Sequence, residues 1–512
     1  MLSESLSIAV LTLTAAILGC RLYRNRNLPP RPPGHWLLGH TFEIPSRRPW
    51  RKFDEWGKTN GPIYSLAIAR TPVVILTGFH VTHDLLNKRL ATFSTRPPRV
   101  MASLFVCGFD KALTFLPPGK HFKKTRRYLQ ETLNVRAAQA HESMQEAEVR
   151  AYALRLLEGS NVQDESRMLY SSVLLQLSLG YKPEELSDPI ITLSERVAKS
   201  AALILSPGRF WVELLPLSKH LPSALLGFHV NRSVRAFNAD LKQLIAESSR
   251  VIRSTMDDLQ APPSFCSKIL KNVKSEDYTE TKALVDFASI SMYAGAVDTT
   301  IASLDTFLVA MMLYPDTQLR AQTEIDSVLG SGRLPTHADR SSLPYVEAIL
   351  IEILRWNPPI PMTSRRLTSD VAYGDFLLPR GCNVIANIWQ VFPLLSMNHD
   401  EDVFHDPEEF LPERFLGPKG NESVRRVQQA TFGFGTRVCP GQHFATSSLW
   451  ITIATLLTIF TVHPVPGEEN KPVLDCEEGA LIRILPYKCD LKPRSQMVVD
   501  ALKRSQISMA AR

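Results

Sequence analysis

Apolar positions recur at helical spacing along most of the chain, and short β-branched runs interrupt that pattern only near its ends. The densest helical stretches are Ala283 to Leu313 and Phe444 to Val462. Between Ala137 and Arg253 the pattern is again largely helical. It breaks at Ser206-Pro-Gly-Arg-Phe-Trp-Val and at Leu221-Pro222, where Pro207 and Gly208 end a helix and Phe210 and Trp211 follow on irregular backbone. Ile63–Ala69 and Val73–Thr77 are partly β-branched runs separated by Arg70-Thr71-Pro72, which predicts a hairpin ahead of the helices. A second hairpin is expected in the tail, from Gly479 to Arg494. The fold class that follows is mainly α with small β-sheets.

One apolar run stands apart. Leu6 to Cys20 carries no charge, is preceded by Glu4 and is followed by Arg21, Arg24 and Arg26. A secretory signal carries its positive charge before the apolar run, so this order favours an uncleaved, single-pass anchor helix with the remainder cytoplasmic. Leu28-Pro-Pro-Arg-Pro-Pro-Gly34 cannot continue that helix, because proline lacks the N–H and fixes φ. The organisation expected is an anchor with its basic flank over 1–27, a proline-rich hinge over 28–34, and one large catalytic unit over 35–512, since no linker divides the rest.

Seven cysteines, odd in number and without Cys-x-x-Cys pairs, indicate neither a disulfide framework nor a zinc site and fit a reducing compartment. The net charge of +7 is modest for 512 residues and no nucleic-acid module is visible. Membrane surface and acidic protein partners are the classes left open.

Three stretches carry chemistry. In Phe432-Gly-Phe-Gly-Thr-Arg-Val-Cys-Pro-Gly441, glycines bring the backbone close to Cys439, and Pro440-Gly441 opens an apolar run. A helix starting there places partial positive charge near the sulfur and is expected to favour the thiolate, the form that ligates iron. Within the apolar run 283–313, Gly295-Ala-Val-Asp298-Thr299-Thr300 sets an acid and two hydroxyls where burial without partners costs ~1–3 kcal/mol each. A threonine bonded back to the carbonyl four residues earlier and an acid facing water would also satisfy them. Glu352 and Arg355 lie three apart on one helix face, and Pro412-Glu-Arg414-Phe415 follows later.

Taken together these residues resemble the cytochrome P-450 superfamily, in style most like the basidiomycete members that tailor secondary metabolites such as terpenoids. Phe432, Gly435, Arg437, Cys439 and Gly441 match its haem signature, Phe-x-x-Gly-x-Arg-x-Cys-x-Gly. The resemblance implies haem b with Cys439 as axial iron ligand and Arg437, Arg126 and Arg366 as propionate partners. It implies that Thr299 and Asp298 handle protons at the oxygen-activation site, and that Glu352, Arg355 and Arg414 form a buried supporting network. Departures are Ala296, where a second glycine is usual, and Phe122 in place of the tryptophan of Trp-x-x-x-Arg126, which forfeits an indole N–H donor. Between Trp389 and His399-Asp400 the chain carries about six more residues than the family pattern.

By the same resemblance, the loop Val100–Leu116, with Phe105, joins Met362 and Leu481 in shaping an apolar substrate pocket. The aromatics Phe210 and Trp211 fit an access channel or ordinary core alike. Lys123, Lys124 and Arg127 are candidates for docking an acidic reductase. The function implied is a haem-thiolate monooxygenase at the endoplasmic reticulum membrane. It would oxidise an apolar small molecule with O2 and with electrons from NADPH brought by NADPH-cytochrome reductase. The alternatives are a haem-binding protein with little or no monooxygenase activity, or a haem-thiolate isomerase or dehydratase, against which Asp298-Thr299 argues.

Overall fold

The computed structural model describes residues 27–510, apart from 37, 46, 69–70, 98–110, 206–227, 259, 331, 389–397, 399–402, 419, 466–480 and 483. The N-terminal apolar run, most of the Val100–Leu116 loop with Phe105, the break at 206–222, the extra residues after Trp389 and His399-Asp400 all lie outside the described residues.

Proline at the first helical position starts α1 (Pro49–Asn60), and its Trp50, Phe53 and Trp56 face inward three residues apart. Phe53 and Trp56 cover the predicted hairpin of β1 (Ile63–Ile68) and β2 (Thr71–Leu76), paired antiparallel from Ile63↔Leu76 to Ile68↔Thr71. After α2 (Phe79–Lys88) the chain becomes helical: α3 (Lys120–Leu133), α4 (Val135–Gln139), α5 (Glu142–Leu157), α6 (Val162–Leu179), α7 (Pro189–Leu205), α8 (Phe228–Asp257) and α9 (Phe265–Lys271). Their ends follow local chemistry. Asn161 caps α6 by accepting from the Gln163 and Asp164 N–H groups, and Gly180, in the left-handed region at φ 72°, ends it.

The longest helix, α10 (Tyr278–Leu313), has 36 residues and is apolar nearly all round, the mark of a helix that crosses a core. It packs against α6, α12 (Pro344–Trp356) and α14 (Gln442–Ile459). By length and composition it is the one helix among the described residues able to span a membrane, yet it is mostly buried within the protein. Between these, α11 (Pro315–Leu329) follows α10, and α13 (Gly420–Phe432) leads into the glycine-rich stretch before Cys439.

The sheet is completed from far along the chain. β3 (Met362–Arg366) lies antiparallel to β6 (Asn383–Asn387), and β6 parallel to β2, giving the order β1-β2-β6-β3. A small hairpin, β4 (Val371–Tyr373) with β5 (Phe376–Leu378), sits between. The hairpin expected over Gly479–Arg494 is corrected. Leu485 and Pro486 run exposed and unpaired, proline having no N–H for a ladder, and β8 (Cys489–Pro493) pairs instead with β7 (Phe460–Pro464), which directly follows α14. A terminal helix, α15 (Gln496–Ala510), then packs on α5 and α14. The mainly helical class with small sheets is what the periodicity predicted.

Glu352 and Arg355 are not the surface pair that spacing alone would allow. Both are fully buried, with Arg355 Nε and Nη2 donating to the two Glu352 oxygens at 2.6 and 2.8 Å. Arg414, on the one-turn helix Pro412–Phe415, adds its Nε at 3.3 Å, and the Leu411 N–H donates to the same carboxylate at 2.7 Å. The remaining guanidinium protons go to backbone carbonyls of Asn398, Pro407 and Glu409 from Arg355, and of His405, Asp406 and Glu409 from Arg414. Glu352→Gln and Arg355→Met should each destabilise the fold by ~3–5 kcal/mol, the cost of leaving a buried charge unpaired. Denaturant unfolding checks this, and a loss under ~1 kcal/mol would reduce the network to the worth of an exposed ion pair.

Candidate active site

The stretch that carries Cys439 is built by close approaches that only glycine permits. Gly435 has φ 65°, and a Cβ there would lie 2.4 Å from the Leu86 carbonyl oxygen. Its N–H donates to Asn87 Oδ1 at 2.6 Å, which fixes the stretch to the end of α2. The Cys439 N–H closes the loop onto the Phe432 carbonyl at 2.7 Å, and Phe432 itself packs against the cluster of Ile351, Leu354 and Phe415 above the Glu352 network. Thr431 donates to the Leu354 carbonyl at 3.3 Å, tying α13 to α12.

Cys439 is partly accessible, although its sulfur lies deep in the protein. Burial raises its thiol above the ordinary value. The Gly441 N–H and the Arg126 guanidinium pull it back down without cancelling the burial. The helix start lowers the thiol through the Gly441 N–H, as expected; in the bare protein burial outweighs it, and a bound cation would add to the forces that favour the thiolate. A Cβ at Gly441 would stand 4.0 Å from the sulfur, so the glycine leaves this side of it open.

Around the cysteine stretch, arginines converge without acids. Arg126 Nη1 donates to the Val438 carbonyl at 2.6 Å. Arg437 donates to the carbonyls of Ser94, Leu113 and Leu116 at 2.8, 3.1 and 2.7 Å, and its guanidinium stacks 4.0 Å over the Phe122 ring. The residue that lacks an indole N–H thus serves as an apolar face for the signature arginine.

Two further arginines, which sequence reasoning missed, join them. Arg96 and Arg365 both donate to Thr363 Oγ1 and to the Ser364 carbonyl, at 2.8–3.0 Å. The Arg96 Nε is buried with no partner. Burial, aided by Arg96 and Arg437, pushes Arg365 down to about 8, and burial pushes Arg96 and Arg437 down to about 10. Among the described residues no carboxylate pairs with Arg96, Arg126, Arg365 or Arg437. A buried group of cations in that condition is a site for anions.

Arg366 is corrected. Successive residues of a strand point to opposite faces, so Arg365 turns into this cluster while Arg366 lies beside Gly381 and raises the positive field at Cys382. Alternation along Met362–Arg366 was the signal that distinguished the two. Cys382 comes nearest to imitating Cys439, with Arg366 and the Val74 N–H beside it. Its thiol donates to the Pro72 carbonyl, however, and burial holds it at about 12.

On α10, Ala294 and Gly295 are exposed in the middle of a buried helix, and the place of a Gly295 Cβ has no atom within 4 Å. Thr299 shares that face. Its hydroxyl donates to the Gly295 and Ala296 carbonyls at 2.9 and 3.2 Å, as the purely structural reading allowed, which leaves its lone pairs to accept from water. The Ala296 methyl lies with Thr300 on the wall of a mainly apolar cavity that also touches Met292, Leu133, Phe444 and Gly441. Asp298 is paired, with Arg167 Nη2 3.6 Å from its Oδ1.

The family model for Cytochrome P450 matches residues 29–491. The chain is a cytochrome P450. Among curated proteins it is 34% identical to cytochrome P450 monooxygenase 208 of Postia placenta over 93% of each chain. It is 33% identical to cytochrome P450 monooxygenase claR of Ampulloclitocybe clavipes, over 97% of this chain and 92% of that one. It is an oxidoreductase of the monooxygenase type. The family uses haem b, with O2 as co-substrate and electrons from NADPH passed through a reductase.

This cytochrome P450 has side chains that fit that group. Cys439 would supply the thiolate, and the acid-free arginines with the orphaned Arg96 Nε would supply the anion-binding end. Arg365→Leu should therefore lower the haem-to-protein ratio of the purified P450, while Arg366→Leu leaves it near wild type. The reverse ranking, measured by pyridine haemochrome, would return the anion-binding role to Arg366.

Proposed function

We propose that this cytochrome P450 hydroxylates or otherwise oxidises an apolar small molecule, a fungal secondary metabolite such as a terpenoid, with electrons from NADPH-cytochrome reductase. The observation that carries the reading is the cysteine stretch itself, a thiol deep in the protein beside acid-free arginines and held by Gly435, Asn87 and Phe432. When bound, the haem supplies dioxygen activation, placing one oxygen atom in the substrate and the other in water.

The chain's own residues have separable tasks. Cys439 would hold the haem iron as thiolate and donate electron density to it, and Arg437, Arg126, Arg96 and Arg365 would neutralise and orient the haem carboxylates. Thr299 accepts a hydrogen bond from water at the exposed notch of α10, and Asp298 beside it passes protons inward. Met362, at the start of β3, packs toward Trp50 and Ile482, and the Ile482 N–H donates to the Pro359 carbonyl at 2.8 Å. That seam of apolar groups supports an apolar substrate. The basidiomycete source of the relatives and the style of the tail and Trp389 region support secondary metabolism.

Of the basic residues on α3, Lys123 and Arg127 are exposed and suit an acidic reductase, Arg127 lying 3.7 Å from Glu131. Lys124 is withdrawn from that set. It is largely covered and bound to Glu280 and Thr281 at 3.3 and 3.0 Å, holding α3 to the start of α10.

Reduced protein with carbon monoxide should absorb at the long-wavelength position typical of a thiolate-bound haem. Cys439→Ser should abolish that band and oxygenation with it, while Cys382→Ser and Cys489→Ser keep it. Retention of the band in Cys439→Ser would end the haem-thiolate reading.

The charge order around Leu6–Cys20 supports a single-pass anchor in the endoplasmic reticulum membrane with the catalytic unit in the cytoplasm. Removing residues 1–27 should move the protein from the membrane to the soluble fraction with haem still incorporated. Loss of haem in that form would show that anchor and fold are not separable.

A further inference from the structure

Two glycines bring the backbone to Cys439, and glycine has more conformational freedom to lose than any other residue. Gly433 and Gly435 both stand in the left-handed region, at φ 87° and 65°, with the buried Phe434 between them. Phe434 is held by packing, in one cluster with Leu85 and Leu86 of α2 and with its ring 6.2 Å from that of Phe79. Gly435 has no side chain to pack, so whatever fixes it must act on its peptide groups.

Both of those groups are taken. The Gly435 N–H donates at 2.6 Å to Asn87 Oδ1, in the last turn of α2. The Gly435 carbonyl accepts from the Val438 N–H at 3.2 Å, closing the one-turn helix Gly435–Arg437 directly before Cys439. The Leu86 carbonyl oxygen and Leu90 Cδ2 wall the same side, 2.4 and 2.8 Å from where a Gly435 Cβ would stand, so α2 meets this residue both by close approach and by hydrogen bond. The neighbouring contact is weaker in kind. Thr436 meets the Ser94 hydroxyl at 2.9 Å, but Thr436 is exposed and water can serve its hydroxyl equally well.

Resting on the reading of Cys439 as the residue that holds the haem iron, we propose that Asn87 is a positioning residue for that sulfur. Its carboxamide oxygen takes up the freedom that two glycines give the stretch, and it acts through Gly435 and Val438 rather than on the sulfur itself. With the oxygen in place the turn 435–437 stays closed and the sulfur stays at the metal. Without it the turn opens and the sulfur departs more often, while the arginines at the anion-binding end keep the haem in the protein.

The test uses the full-length holoenzyme, reduced under carbon monoxide, where the long-wavelength band reports thiolate-bound haem and its conversion to a shorter-wavelength band reports loss of that ligand. Asn87→Leu nearly keeps the volume but has no acceptor. It should speed the conversion about two- to tenfold, the range that loss of one hydrogen bond gives. Amides of residues 433–439 should exchange hydrogen faster in the same variant, with the haem-to-protein ratio near wild type. Asn87→Asp keeps an acceptor oxygen and should hold both rates near wild type, and Asn87→Ala, which admits water to the N–H, should fall between the two. Unfolding followed by far-UV circular dichroism should quicken less than the band conversion in Asn87→Leu. If unfolding and conversion quicken by the same factor, Asn87 only stabilises the fold and the proposal is wrong. It is equally wrong if Asn87→Leu converts at the wild-type rate or if Asn87→Asp converts as fast as Asn87→Leu. Absence of the long-wavelength band from the wild-type protein would instead remove the reading of Cys439 on which the proposal rests.

Discussion

A single buried carboxylate organises the Cys439 side of this protein. Glu352 accepts from two arginines and one backbone N–H, and those arginines spend their other protons on five carbonyls between Asn398 and Glu409. Among the described residues of that carbonyl-rich segment none lies in a helix or strand, so those carbonyls find their partners in the arginines. From it the chain passes through Pro412–Phe415 into α13 and then to Cys439. The placing of one sulfur atom thus depends on electrostatic satisfaction more than a dozen residues earlier in sequence, relayed by Thr431 and by Phe432 packed over α12.

Much of this was legible because spacing encodes it. The glycines before Cys439, the Asp298-Thr299 pair inside an apolar run and the Glu352/Arg355 interval each mark a position where ordinary packing cannot explain the residue. The first hairpin was legible for a simpler reason, since two β-branched runs lie close together in sequence, although Thr71 and Pro72, read as part of the connection, are paired within β2. What spacing does not encode is partnership across the fold. Arg437 reaches Leu113 and Leu116, and Arg96 reaches Thr363, over separations of hundreds of residues.

The misassigned residues share a physical cause. Arg366 matched by position along the chain, but side-chain direction in a strand alternates, and Arg365 is the one turned inward. Lys124 looked like a surface cation among surface cations, yet α3 presents that face to Glu280. The tail read as a hairpin because its apolar alternation is real, while the partner strand lay earlier, after α14. The helix start near Cys439 does supply an N–H, but the cost of burying a charge outweighs it until a metal shares the site.

The acids of α10 also bear on how the chain is made. Asp286 finds Lys282, Asp298 finds Arg167 and Asp305 finds the Tyr487 hydroxyl, so that in the folded protein each is matched. The partners of Asp298 and Asp305 come from α6 and the C-terminal segment, and the latter is still unsynthesised when α10 leaves the ribosome. At that moment the helix is a long apolar stretch that meets the requirements of a membrane span. An aspartate near the middle of such a span opposes insertion by ~2.5–3.5 kcal/mol. On the reading that Asp298 serves proton delivery, the same carboxylate would also guard topology by opposing insertion of the future core helix into lipid until the bundle closes around it.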